Sequence, residues 1–195
     1  MKTKLAAVSL FLALSFTSFA VVDLGVPAGS TPYDIYMRPV KQVLSGLTGQ
    51  DADMGHVRSL MREGRSFRYL YTDPYNAALP SVTAATRSGD CKAKALWLCD
   101  EMNDQNVRFV VGKTTPHARL SHAWVMWQHS GHWWVLDPTN ASAPLLADHL
   151  PWDEYIPLYS WSKTGEYRHT ATQLSVMETR KNGVAFARKL KRRTH

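Results

Sequence analysis

A cysteine stands directly after Gly89-Asp90, at the mouth of a stretch whose apolar spacing predicts a helix from Cys91 to about Met102. Cys91, Ala95, Leu98 and Met102 fall along one stripe of that helix. Unpaired N–H groups and the dipole at a helix start favour a thiolate over a thiol. Downstream, His122 opens the strand-like segment HAWVMWQ, and Asp137 closes the next one, WWVLD. If a two-residue turn joins the two strands, His122 stands opposite Asp137 or diagonal to it, and both point to one face. That face is the one the cysteine helix is expected to cover. An imidazolium beside the thiol would lower its pKa further, and a carboxylate would hold the ring with its other nitrogen toward sulfur. Nucleophile, base and orienting acid together attack an acyl carbonyl. Gly89 permits a sharp turn before the helix, and the Cys91 N–H is a candidate oxyanion donor.

Other residues of reactive type have blander readings. Cys99 lies eight helical rises from Cys91, about 12 Å along the axis, whereas a disulfide needs Cα atoms within about 7 Å. Both thiols are therefore expected free, with Cys99 in the core. Cys91, His122 and Asp137 could instead ligate zinc, but no fourth ligand stands at convincing spacing. His129 and His132 flank a turn and read as solvated, although they could form a surface metal pair. His117 has no evident partner. Trp124, two residues from His122 on the same face, is the best candidate for a cleft wall, the other tryptophans of these strands being expected in the core. Asn140 reads as a turn residue and Asp90 as a helix cap.

The elements that must position these groups follow from the pattern. Residues 33–47 look helical, bent or interrupted at Pro39. A second helix is expected from Asp53 to Glu63, ended by Gly64, and YTDPYNAALPSV reads as a loop. VRFVVGK, SHAWVMWQ and WWVLDPT then read as strands, the last two joined at HSGH, with EYIPLYSWS and EYRHT as a second hairpin about KTG. The strands are apolar on both faces and need cover on both sides. The class is α+β, helices first and mainly antiparallel strands after. A final short helix is expected before the C-terminal tail.

The chain of 195 residues opens MKTKLAAVSLFLALSFTSFA, a basic start, an apolar run and small residues at cleavage spacing. Residues 1–20 are expected to be a secretory signal peptide, cut after Ala20. The remainder suits one domain, 21–179, followed by a basic tail, 180–195, carrying seven Lys/Arg and no acid. The tail could touch an anionic surface. No nucleic-acid-binding motif is present, so no nucleic-acid partner is expected. The mature chain is expected to be a monomer, periplasmic or secreted.

SGDCKAKALWLCDEM, SHAWVMW and HWWVLDPTN, in this order, resemble the transglutaminase-like superfamily, and Gly89-Asp90-Cys91 is most similar to its bacterial cysteine proteinases. Pro80 and Thr83 fit the same region of that pattern. The resemblance implies a papain-like core with the nucleophile helix packed on an antiparallel sheet. It makes Cys91 the nucleophile, His122 the base and Asp137 its orienter. It implies a peptide or protein substrate cleaved through a thioester. An acyl transferase with the same three residues, or a non-catalytic binding module on this fold, are the alternatives. Calcium-dependent members carry an acidic residue directly after the cysteine. Lys92 stands there in this chain, and no cofactor is expected.

Overall fold

A computed structural model describes residues 22–73 and 76–171. The expected signal peptide, the final helix and the basic tail lie outside the described residues. Four helices precede all but the first strand of the main sheet: α1 (Arg38–Gly46), α2 (Met54–Ser66), α3 (Pro80–Thr86) and α4 (Cys91–Met102). A short 3-10 turn, Asp34–Tyr36, leads into α1. Pro39 sits in the first turn of α1, where its missing N–H costs nothing, so it starts the helix rather than bending it. Asp53 caps α2, its side chain accepting from His56 N. Gly64 does not end that helix but lies within it. A Cβ there would stand 2.8 Å from both Trp97 Cζ3 and Pro138 Cβ. Helix α2 can therefore approach α4 and the Asp-Pro segment closely. Helix α3 begins in the last three residues of the stretch read as a loop and continues past it; Pro80 occupies its first turn and Arg87 closes it in the left-handed region.

Seven strands form one antiparallel sheet in the order β1-β9-β8-β4-β5-β6-β7. Its central members are β4 (Val107–Lys113), β5 (His122–His129), β6 (His132–Leu136), β8 (Ile156–Ser162) and β9 (Gly165–Arg168). The short strands β1 (Val26–Pro27) and β7 (Leu145–Leu146) edge it. Apart from it, β2 (Arg68–Tyr69) and β3 (Ser88–Gly89) form a two-stranded parallel ribbon. His129 pairs with His132, so Ser130 and Gly131 alone make the β5–β6 turn, both with positive φ. This is the two-residue hairpin turn whose twist matches its strands.

The apolar faces are covered on both sides, as their composition demands. Ala123, Val125, Trp127 and Leu136 join the larger core with α4 and α2, while Val110, Trp124, Met126 and Val135 form a second cluster. Helix α4 is buried nearly all round rather than along one stripe, packed against α1, α2, α3, β4 and β5. Its lysines are buried too. Lys94 Nζ donates to Phe67 O at 2.7 Å, and Lys92 pairs with Asp90. The class is α+β, helices first, and among the described residues no helix is long and apolar enough to cross a membrane.

The close approach at Gly64 makes a stability prediction. Ala normally outranks Gly inside a helix by about 1 kcal/mol, but here the added methyl must displace a proline ring and an indole. Gly64→Ala should lower unfolding stability by about 1–3 kcal/mol, the usual cost of overpacking. Gly46→Ala, at the end of α1 with nothing within 4 Å of its Cβ position, should be neutral or better. Urea unfolding of both variants is the check.

Candidate active site

Asp90 begins the site. Its extended backbone precedes α4, and its Oδ1 accepts from the N–H groups of Lys92 (3.0 Å) and Ala93 (3.1 Å). This is the expected cap, satisfying two of the orphan donors of a helix start. The other oxygen, Oδ2, accepts from Thr72 Oγ1 at 2.7 Å, Thr72 N at 3.3 Å and the Lys92 ammonium. Asp90 and Lys92 are both buried. Cys91 thus opens a helix whose start is clamped to the Thr72 segment. Cys91 itself is buried, with 7 % of the residue accessible.

Register decides how the other two residues reach it. Val125 pairs with Leu136, which puts Asp137 level with Trp124 and one diagonal step from His122. His122 has the parity of Trp124 and Met126, which belong to the second cluster, not to the face that α4 covers. The expectation that helix and imidazole share one sheet face is therefore corrected. His122 is the first residue of β5 and Asp137 lies one past the end of β6. The three groups meet around the end of the sheet, where the first turn of α4 also lies.

There, His122 Nε2 donates to Asp137 Oδ2 at 2.8 Å, and the Cys91 side chain is near enough for its charge to act on the ring. With Nε2 committed to the carboxylate, Nδ1 is the nitrogen left for sulfur. Burial alone would lower the His122 pKa, but the bond to Asp137 and the charges of Asp137 and Cys91 push it up to about 9. Burial alone would raise the Asp137 carboxyl; the His122 contact, the Thr139 N–H and the Tyr155 hydroxyl hold it below its ordinary value. The arrangement can hold an imidazolium against a sulfur, keep the ring oriented, and pass a proton from Nδ1.

Asn140 does more than turn the chain: Nδ2 donates to Asp137 Oδ2 at 2.9 Å and lies 3.2 Å from His122 Nε2. Tyr155 is a site residue that the sequence reading missed. Its hydroxyl donates to Asp137 Oδ2 at 3.0 Å. Its backbone is left-handed, φ 49°, which a tyrosine rarely adopts and no local sequence signal announces. Trp124 stacks on His122, ring centroids 6.1 Å apart, and meets Tyr155 edge-on at 5.5 Å. It is fully buried rather than an open cleft wall. With Tyr155, Met126 and Leu150 it borders a cavity of about 670 Å³.

Cys99 is free and fully buried, and burial pushes its thiol well above the ordinary range. His129 stacks on Trp127 at 4.4 Å, and His117 is exposed in its loop. Among the described residues no group of three or more His, Cys, Asp or Glu is arranged to hold a metal ion.

The raised His122 pKa carries a pH dependence. Its charge-linked stabilisation is fully present below the ordinary value of 6.5 and is lost as pH rises through about 9. Stability should fall across that window by an amount on the order of 3 kcal/mol. Asp137→Asn should bring the His122 titration, followed by ring-proton NMR, down to 6.5 or below, because burial then acts unopposed. A His122 titration unmoved by that substitution would contradict the assigned cause.

No family model matches the chain, and no curated protein matches it. Solved structures do. LapG of Legionella pneumophila superposes with a TM-score of 0.51 at 14 % identity, covering 71 % of this chain and 81 % of that one. Its calcium-bound form superposes at 0.49 and 16 % identity, covering 65 % of this chain and 74 % of that one. What the likeness shows is the fold, shared with LapG.

Proposed function

We propose that this protein is an exported cysteine peptidase or amidase that hydrolyses peptide or side-chain amide bonds through Cys91, His122 and Asp137. The observation that carries the reading is the hydrogen bond from the His122 ring to the buried Asp137 carboxylate, beside a cysteine that opens a capped helix. The fold shared with LapG and the resemblance of the three sequence blocks to the transglutaminase-like superfamily support it. Export rests on the opening twenty residues alone.

The Cys91 thiolate attacks the amide carbonyl carbon, forming the C–S bond and a tetrahedral oxyanion. Helix start and backbone N–H stabilise that negative charge; as the first helical residue, Cys91 has no intrahelical acceptor for its own N–H. His122 gives its Nδ1 proton to the departing nitrogen, the C–N bond breaks, and a thioester remains. The now neutral ring takes a proton from water, whose oxygen attacks the thioester. Collapse of the second tetrahedral adduct frees the carboxylic acid and returns the thiolate–imidazolium pair. Asp137 stays ionised throughout, held by hydrogen bonds that orient the ring. Substituting an amine for that water would make the same site an acyl transferase.

Two cysteines allow a clean internal control. Cys91→Ser should abolish labelling by iodoacetamide and cleavage of a peptide mixture, while Cys99→Ser keeps both. Loss of activity and labelling in both variants alike, with folding intact by circular dichroism, would sink the assignment.

A further inference from the structure

We propose that the outer edge of β2, with the side chains of Tyr69, Leu70 and Tyr71, is the docking edge for an extended apolar peptide segment, added as a strand beside Cys91. The proposal rests on Cys91 being the nucleophile of a peptide-cleaving site, and it names the substrate class of that site.

Three consecutive large side chains stand in solvent here: Tyr69 is 52 % exposed, Leu70 47 % and Tyr71 62 %. Scattered single apolar residues on a surface need no explanation; a contiguous run does. The backbone beneath them has an open side. Arg68 N donates to Arg87 O at 2.9 Å and Leu70 N to Gly89 O at 3.2 Å, so these residues face β3. Alternation along a strand then turns the N–H and C=O of Tyr69 away from β3. Among the described residues the ribbon has two strands, and β2 pairs there with β3 alone. An exposed strand edge recruits another extended chain through its main-chain groups, with alternate side chains choosing the sequence. The Leu70 N–H bond continues the pairing one residue past β2, and strand alternation would then place Tyr71 with Tyr69 and Leu70 opposite. The fitting ligand is an extended segment with bulky apolar residues at alternate positions.

The edge is placed for the chemistry. Tyr69 pairs with Gly89, two residues before Cys91. Its phenol feels the site directly: after burial, the Cys91 and Asp90 charges are what push it up. It is also held rigidly. Thr72 is tied to Asp90 through both its N–H and its hydroxyl, and the Lys92 ammonium lies 5.5 Å from the centroid of the Tyr71 ring. Since Asp90 is the cap of α4, strand edge and nucleophile are fixed to one another. A pre-ordered edge forfeits little entropy when a strand joins it.

The test separates docking from turnover by using full-chain Cys91→Ala protein. The probe is a fluorescein-labelled decapeptide alternating Leu and Ser, read by anisotropy. The paired controls are a version with a central proline and an all-Ser, Gly peptide of equal length. Tyr69→Ser/Tyr71→Ser should weaken probe binding at least tenfold, and the central proline should do the same by removing a main-chain donor. Trp152→Ser, an exposed aromatic bordering the cavity on the second cluster, should stay within twofold. The inference is overturned if the probe does not bind, if the tyrosine pair leaves its affinity unchanged, or if Trp152→Ser weakens it equally. An edge that binds in a protein whose wild-type Cys91 proves unreactive would reject the hydrolase reading and keep the docking edge. A reactive Cys91 with no edge binding would do the reverse.

Discussion

The buried carboxylate of Asp137 is the constraint on which the site depends. A charge removed from water costs several kcal/mol unless it is paired and fully hydrogen-bonded. Asp137 meets that demand with five donors: His122 Nε2, Thr139 N, Asn140 N, Asn140 Nδ2 and Tyr155 OH. These come from the start of β5, the turn after β6 and the segment before β8. Satisfying one carboxylate therefore ties three separate pieces of chain to each other. The imidazole inherits its orientation from that knot, and its raised pKa is the electrostatic consequence.

Asp90 plays a parallel part on the other side of the sulfur. It too is buried and accepts from five donors, two at the helix start, two from Thr72 and the Lys92 ammonium. Each carboxylate thus has a cation beside it, Lys92 for Asp90 and His122 for Asp137. The Cys91 side chain, which the proposed mechanism uses as a thiolate, shares the His122 cation with Asp137. It sits at the start of a twelve-residue helix, whose dipole favours negative charge at that end. Lys92 is consequently not a solvated residue beside the nucleophile but the counter-ion that permits a buried acid there.

How far this was legible in the sequence depended on whether a feature is local. The helix beginning at Cys91 and ending at Met102 could be read because capping and apolar spacing are written within a dozen residues. The diagonal placement of His122 and Asp137 could be read because Ser130-Gly131 is a two-residue turn, and turn length fixes register. Which side of the sheet His122 takes could not be read, since both faces of β5 are apolar and period-two alternation is silent. The burial of Lys92 and Lys94 depends on acceptors supplied from Thr72, Asp90 and Phe67, most of them distant in sequence. Tyr155 was invisible for a related reason: it lies eighteen residues past Asp137 and reaches it through a left-handed backbone step.

The two-sided burial of the sheet also explains why the site lies where it does. Residues in the middle of β5 face either the α4 core or the second cluster, and both are apolar. A charged group placed there would need compensation that side chains in a packed interior rarely supply. The buried polar groups Ser160 and His169 of the β8–β9 region are satisfied by bonding each other at 2.8 Å, with Asp23 O on the remaining ring nitrogen. At strand ends the chain leaves the sheet, and backbone N–H groups of the following turn become free to serve a carboxylate. Asp137 uses the N–H groups of Thr139 and Asn140 in that way. A helix start offers the same resource to Asp90. The reactive groups collect where a strand begins, a strand ends and a helix begins because those are the positions with backbone donors to spare.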